Sequence, residues 1–163
     1  LYQWPVREIC EYRMDRLDYD GVLLKDEERS FDGISGRSIE LEVEIAPREQ
    51  GAPLYREFIM DFAKDKDHCI RLSYKPARSL ITIDRSRSGQ CSEITSRRSY
   101  RAAYADGSLS LRILIDRWSA EVFVNGGEQA MSLTYYTPAE ADGITFAADG
   151  TVAMDITAYH IQK

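Results

Sequence analysis

The stretch from Leu109 to Glu128 reads LSLRILIDRWSAEVFVNGGE. Leu109, Leu111, Ile113 and Ile115 alternate with Ser110, Arg112, Leu114 and Asp116. After one break, Trp118, Ala120, Val122 and Val124 alternate with Ser119, Glu121, Phe123 and Asn125. A period of two sends every second side chain to one face of a pleated strand. Asn125-Gly126 then supplies the pair that most readily takes positive φ, which a tight type I′ hairpin turn requires. The stretch therefore predicts two strands and a turn into a third, starting at Gln129-Ala130-Met131. Nothing in it is chemically activated.

The same pattern extends outward. Ile39, Leu41, Val43 and Ile45 alternate with Glu40, Glu42 and Glu44, predicting a core face and a solvated acidic face. Further strands are expected over Tyr55 to Phe62, around Ile70, Leu72 and Tyr74, over Ser79 to Arg85, and over Ala130 to Tyr136. Ile144 to Ala148 and Val152 to Ala158 flank a second hairpin turn at Asp149-Gly150. Ile9 to Met14 reads as a strand, Asp18 to Gly21 as a turn, and Asp26 to Gly36 as loop or weak edge. Ser86 to Ala105 has no regular pattern. With no helix of any length and short strands between turns, the expected class is all-β: a sandwich of two antiparallel sheets.

Composition narrows the function. The 163 residues suffice for one domain with a sizeable core. A net charge of −6 argues against nucleic-acid binding, which needs a surplus of Lys and Arg. Arg97, Arg98 and Arg101 form one local basic cluster, read as a solvated loop in preference to an anion grip. No apolar run approaches the ~20 residues of a membrane helix, so no membrane partner is expected. Cys10, Cys69 and Cys91 suit neither a disulfide framework nor a zinc site and are expected to be buried thiols. The chain opens at Leu1 with no methionine, so we expect it to be a piece of a longer protein.

A search for chemistry finds little. No Gly-x-Ser-x-Gly elbow is present, and His68 and His160 are expected to be structural. No metal-ligand spacing occurs, so no metal or cofactor is expected. Asp84, Asp116 and Glu121 could by residue type serve as paired glycosidase carboxylates. The plainer expectation is that Asp84 and Asp116 pair with Arg85 or Arg117 or accept backbone hydrogens. Glu121, beside Phe123 on one strand face, is expected to be partly buried. Aromatic platforms for a sugar could come from Trp118, Tyr135, Tyr136, Tyr100 or Tyr104. Adjacent Tyr135 and Tyr136 point opposite ways in a regular strand, so one ring must leave the core. At the N-terminus, Trp4 beside Pro5 either folds back onto the sandwich or packs at a junction with a preceding domain; the junction is favoured.

Four segments together resemble one known domain: QWPVRE (Gln3 to Glu8), SIELEVEI (Ser38 to Ile45), LITIDRSRSG (Leu80 to Gly89) and LRILIDRWSAEVFVNGGE (Leu111 to Glu128). They are similar to the C-terminal β-sandwich of the β-fructofuranosidases, glycoside hydrolase family 32. Trp118 departs from the pattern, where the family more often has a small polar residue. The resemblance implies a lectin/glucanase-like jelly roll. It also implies a preceding five-bladed β-propeller that carries the catalytic carboxylates. The propeller's Asn-Asp-Pro, Arg-Asp-Pro and Glu-Cys motifs do not occur here, so no catalytic residue transfers to this chain. The expected division is residues 1–8 as linker and 9–163 as sandwich. Gln3, Trp4, Pro5, Arg7 and Glu8 are the expected contacts to the propeller. Asp84, Arg85, Asp116, Arg117, Glu121, Phe123, Asn125 and Gly126 are expected to be structural. The implied role is a non-catalytic accessory domain of a fructan- or sucrose-cleaving enzyme, stabilising the propeller and in some members forming a homodimer contact. The alternative is a carbohydrate-binding module, contacting a fructan or other glycan through Trp118, Tyr135 and Tyr136.

Overall fold

The structure, a computed structural model, describes residues 2–89, 96–102 and 106–162. A 3-10 turn over Arg7–Tyr12 leads into β1 (Arg13–Lys25), β2 (Glu28–Arg29), β3 (Ile39–Pro47), β4 (Glu57–Lys64) and β5 (Cys69–Lys75). Then follow β6 (Leu80–Arg87), β7 (Arg97–Arg101), β8 (Leu109–Ile115), β9 (Ser119–Val124), β10 (Gln129–Thr134), β11 (Gly143–Asp149) and β12 (Thr151–Ile161). They form two six-stranded sheets, ordered β1-β12-β3-β8-β9-β10 and β2-β11-β4-β5-β6-β7. Every pairing between these strands is antiparallel.

The alternating residues do what period two requires. Ile39, Leu41, Val43 and Ile45 on β3 lie opposite Ile115, Ile113, Leu111 and Leu109 on β8, and all are buried. From the second sheet, Phe58, Met60 and Phe62 lie opposite Tyr74, Leu72 and Ile70 and close the layer from the other side. Each such side chain contributes about 1.5–3 kcal/mol of burial free energy, before the entropy of ordering is subtracted. At the predicted hairpin, Asn125 sits at φ 49° and Gly126 at φ 71°.

Several local expectations are corrected. The segment read as a strand from Ile9 to Met14 is mostly the 3-10 turn, and β1 begins only at Arg13. Asp18 to Gly21 lies inside β1, where the pairing with β12 shifts register between Tyr19 and Val22. A bulge absorbs the extra residues: Gly21 takes φ 65°, and its N–H donates to Asp155 Oδ1 at 2.6 Å. The unassigned polar stretch contains an edge strand, β7, which carries the basic cluster expected to be a solvated loop. Cys69 is buried, and burial raises its thiol pKa, but Cys10 is exposed; Cys91 lies outside the described residues.

Candidate functional site

The outer face of the first sheet is not the solvated acidic surface that its alternation predicts. Glu40 is 0% exposed. Arg13 donates to both of its oxygens, Nε to Oε2 at 2.8 Å and Nη2 to Oε1 at 2.6 Å, and Arg112 Nε donates to Oε1 at 2.5 Å. Arg13 also reaches Glu42, and its guanidinium lies 4.0 Å from the centre of the Tyr159 ring. Burial pushes the Glu40 carboxyl upward in pKa, but the hydrogen bonds from the two arginines outweigh it, and the net shift is downward.

The N-terminal segment covers this network. Gln3 N–H donates to the Gly127 carbonyl at 2.9 Å, fixing the chain to the β9–β10 hairpin. Gly127 holds φ 90°, and a Cβ there would collide with the Gln3 backbone. The Trp4 ring meets Phe123 edge-on at 5.9 Å and lies 5.0 Å over the Arg112 guanidinium. Phe123 is therefore buried although it points away from the sandwich core, while Glu121 on the same face is exposed, contrary to expectation. Trp4 thus folds back onto the sandwich, yet 51% of it stays exposed. Gln3, Arg7 and Glu8 are exposed and Pro5 half-buried.

Five of the nine exposed large hydrophobic residues among those described are Tyr2, Trp4, Val6, Tyr12 and Met14. This segment pins itself to the sheet with one face and presents apolar side chains with the other.

The aromatic pair after β10 is divided. Tyr135 is 0% exposed: its N–H donates to the Trp118 carbonyl at 3.0 Å, its hydroxyl donates to the Asp116 carbonyl, and its ring packs edge-on against Phe62. Tyr135 is accordingly a correction to the expected sugar contacts, since no face of its ring reaches the surface. Burial pushes its phenol pKa up to about 12. Tyr136 and Trp118 are 52% and 44% exposed and line a shallow hollow with Thr134 between them. Behind them Arg37, itself buried, donates to Thr137 Oγ1 at 2.6 Å and to the Ala141 carbonyl at 2.8 Å. Its guanidinium lies 5.6 Å from the Trp118 ring centre and 4.9 Å from that of Tyr135, and Arg117 also flanks Trp118, at 5.8 Å. Tyr104 lies outside the described residues.

The remaining candidates do not converge. Asp84 belongs to a row of alternating charge across the outer face of the second sheet, Asp61–Arg71–Asp84–Arg97 in register. It pairs with Arg97, not Arg85, and accepts Ser86 N–H at 2.8 Å. Its pKa is pushed up by partial burial but held below the usual range by these bonds. Arg85 donates instead to the Thr134 carbonyl at 2.7 Å, tying the two sheets together. Asp116 Oδ1 accepts Arg117 N–H at 2.7 Å. His68 contacts Asp65 at 3.0 Å and His160 lies 3.0 Å from the Gly33 carbonyl, so each ring has a local partner. Among the described residues no three His, Cys, Asp or Glu side chains are grouped to hold a metal.

Sequence reasoning missed Glu40, Arg13 and Arg112 as a unit. Arginines on the same outward face as the glutamates were the available signal: Arg112 lies opposite Glu42, and Arg13 stands beside the neighbouring strand at Ile161.

Residues 10–161 match the family model described as "Glycosyl hydrolases family 32 C terminal". A sucrose-6-phosphate hydrolase of Staphylococcus xylosus is 29% identical over 136 residues, covering 82% of this chain and 26% of that protein. A levanase of Bacillus sp. (strain L7) is 27% identical over 154 residues, covering 92% of this chain and 16% of that protein. The exo-inulinase structure of Aspergillus awamori superposes with a TM-score of 0.81 at 18% identity, over 99% of this chain and 32% of that one. At such identity the superposition shows the shared fold. The chain spans about a quarter of the length of the sucrose-6-phosphate hydrolases that it matches.

Proposed function

The chain belongs to the C-terminal domains of the family 32 glycosyl hydrolases, and on that footing we propose that it is the non-catalytic accessory part of a longer fructan- or sucrose-cleaving glycosidase. In this reading residues 1–8 are the linker, 9–163 the sandwich, and the partner is a catalytic propeller earlier in the same protein. Gln3, Trp4, Pro5, Arg7 and Glu8 belong to the contact, and the sandwich stabilises the propeller through it. The observation that carries the reading is the run of exposed apolar side chains from Tyr2 to Met14, displayed by a segment that is itself anchored to the sheet. Covering them would add burial free energy at about 25 cal/mol per Å². The relatives named as sucrose-6-phosphate hydrolase and levanase supply the substrate class.

The test is to prepare the catalytic part separately and melt it with and without this chain. Association and a raised melting temperature are expected, both weakened by Trp4→Ala. Failure to associate, or hydrolysis of sucrose or levan by this chain alone, would overturn the reading.

A further inference from the structure

Asn125 is the chain's single asparagine, and Gly126 follows it. The pair forms the tip of the hairpin between β9 and β10, with Asn125 half-buried and Gly126 exposed. The two ends of the Asn125 amide meet different surroundings. Its oxygen Oδ1 accepts the Ser110 N–H at 3.1 Å, and that donor settles which end of the amide is oxygen. Its nitrogen Nδ2 is buried and has no partner among the described residues. The next backbone nitrogen, that of Gly126, donates to no group among the described residues and lies at the exposed tip.

We propose that Asn125 is a site of spontaneous deamidation in the folded protein, and that the reaction releases the N-terminal segment from the sheet. Hydroxide removes the Gly126 N–H proton, and that nitrogen attacks Asn125 Cγ. The new N–Cγ bond closes a five-membered imide. The Cγ–Nδ2 bond breaks, and Nδ2 takes up a proton and leaves as ammonia. Water then adds to either imide carbonyl. One opening gives aspartate; the other gives isoaspartate, whose backbone runs through the former side chain and is longer by a CH2 group. Nucleophile and carbonyl are held on one chain, which favours ring closure over attack from solution. Glycine favours it further, since no Cβ shields the attacking nitrogen. The Ser110 N–H already points at the oxygen on which negative charge develops. The departing nitrogen breaks no hydrogen bond as it leaves.

Both products disturb what the hairpin holds. The Gly127 carbonyl accepts the Gln3 N–H at 2.9 Å, in a fit too close to admit even a Cβ on Gly127. A turn lengthened by isoaspartate displaces that carbonyl. Aspartate keeps the backbone but puts an ionised oxygen where Nδ2 was, in a buried place without a donor. Ser110, which holds the other oxygen, also donates its hydroxyl to Glu44 Oε1 at 2.5 Å, so the new charge joins an existing one. The inference does not depend on the accessory role, since it concerns the chemistry of the hairpin itself.

The experiment stores the folded chain in mildly alkaline buffer and follows its intact mass. Replacement of NH2 by OH should raise the mass in a single step, because only one asparagine is present. Isoaspartyl methyltransferase should then label the peptide that carries Asn125 and Gly126. Asn125→Gln, whose longer side chain does not close the five-membered ring, should stay unlabelled. As conversion proceeds, the Gln3 amide should lose its protection from hydrogen–deuterium exchange in step with the mass gain. A folded chain that stays unmodified while the same chain in urea converts fully overturns the site. Conversion that leaves the Gln3 amide protected overturns the release. Either result would leave the association test of the previous section standing.

Discussion

Arg112 and Glu40 lie on neighbouring strands but are not register partners: Glu42 stands opposite Arg112, and Glu40 opposite Leu114. The guanidinium reaches diagonally to Glu40 Oε1 at 2.5 Å and carries the Trp4 ring on its face. One arginine therefore links a buried carboxylate to the N-terminal segment above it. The ion pair is sealed from water by that segment, and the segment is seated on the ion pair.

Removing the acid should be costly. Glu40→Ala leaves the buried Arg112 without its counter-charge and Arg13 with Glu42 alone, and breaking a buried pair in this way costs about 3–5 kcal/mol. Urea denaturation should show that loss, whereas Glu44→Ala, at an exposed position on the same strand, should change stability by less than about 0.5 kcal/mol. Equal effects from the two substitutions would refute the assignment.

Acid should act through the same group. The folded pKa of Glu40 lies below its ordinary value of 4.5. Its contribution is then fully present above about pH 4.5 and is lost as the pH falls through the lower folded value. The stability gap between the parent chain and Glu40→Gln should narrow as pH drops below 4.5. Parallel stability curves from pH 7 to pH 3 would contradict this.

Gly127→Ala should detach the N-terminal segment. The added Cβ meets the Gln3 backbone, and φ of 90° is unfavourable for alanine in any case. Trp4 fluorescence should shift to the red as its ring leaves Phe123, and stability should fall by about 1–3 kcal/mol. Gly126→Ala is strained too, but meets nothing within 4 Å, so it should leave the Trp4 spectrum unchanged.

Tyr135→Phe removes the hydroxyl that donates to the Asp116 carbonyl and should cost about 1 kcal/mol. The phenol pKa is raised to about 12, so the folded state favours the neutral form. The stabilisation it supplies is present below the unfolded value near 10 and disappears between about pH 10 and 12. Spectrophotometric titration of the variant should lack one late-ionising tyrosine; an unchanged late phase would reject the assignment.

Strands whose faces differ in polarity were legible from sequence. Val43 and Leu111 occupy opposing core positions because each is apolar in an alternating run, and the hairpin at Asn125-Gly126 follows from its turn chemistry. Alternation assigns a residue to a face but cannot tell what covers that face. What buries these outward-facing residues comes from elsewhere in the chain: Arg13 and Arg112 meet Glu40, and Trp4 meets Phe123. The edge strand β7 escaped notice because its residues are nearly all polar, so no periodicity marks it. Its inward Arg98 stays hydrated at the open side of the sandwich, where an apolar residue is not required. Tyr135 and Tyr136 were correctly expected to diverge, but which ring faced inward depended on the hydrogen bond from Tyr135 to Asp116 after the strand ends.

The first strand, β1, finds its partner in the last, β12, with Arg13 beside Ile161. During synthesis the sheet edge that receives β1 does not exist until β12 has left the ribosome. β1 must wait for this partner while the strands between the two are made. Clipping the final strand would consequently release the N-terminal edge as well, coupling the two ends of the chain in a single unravelling event.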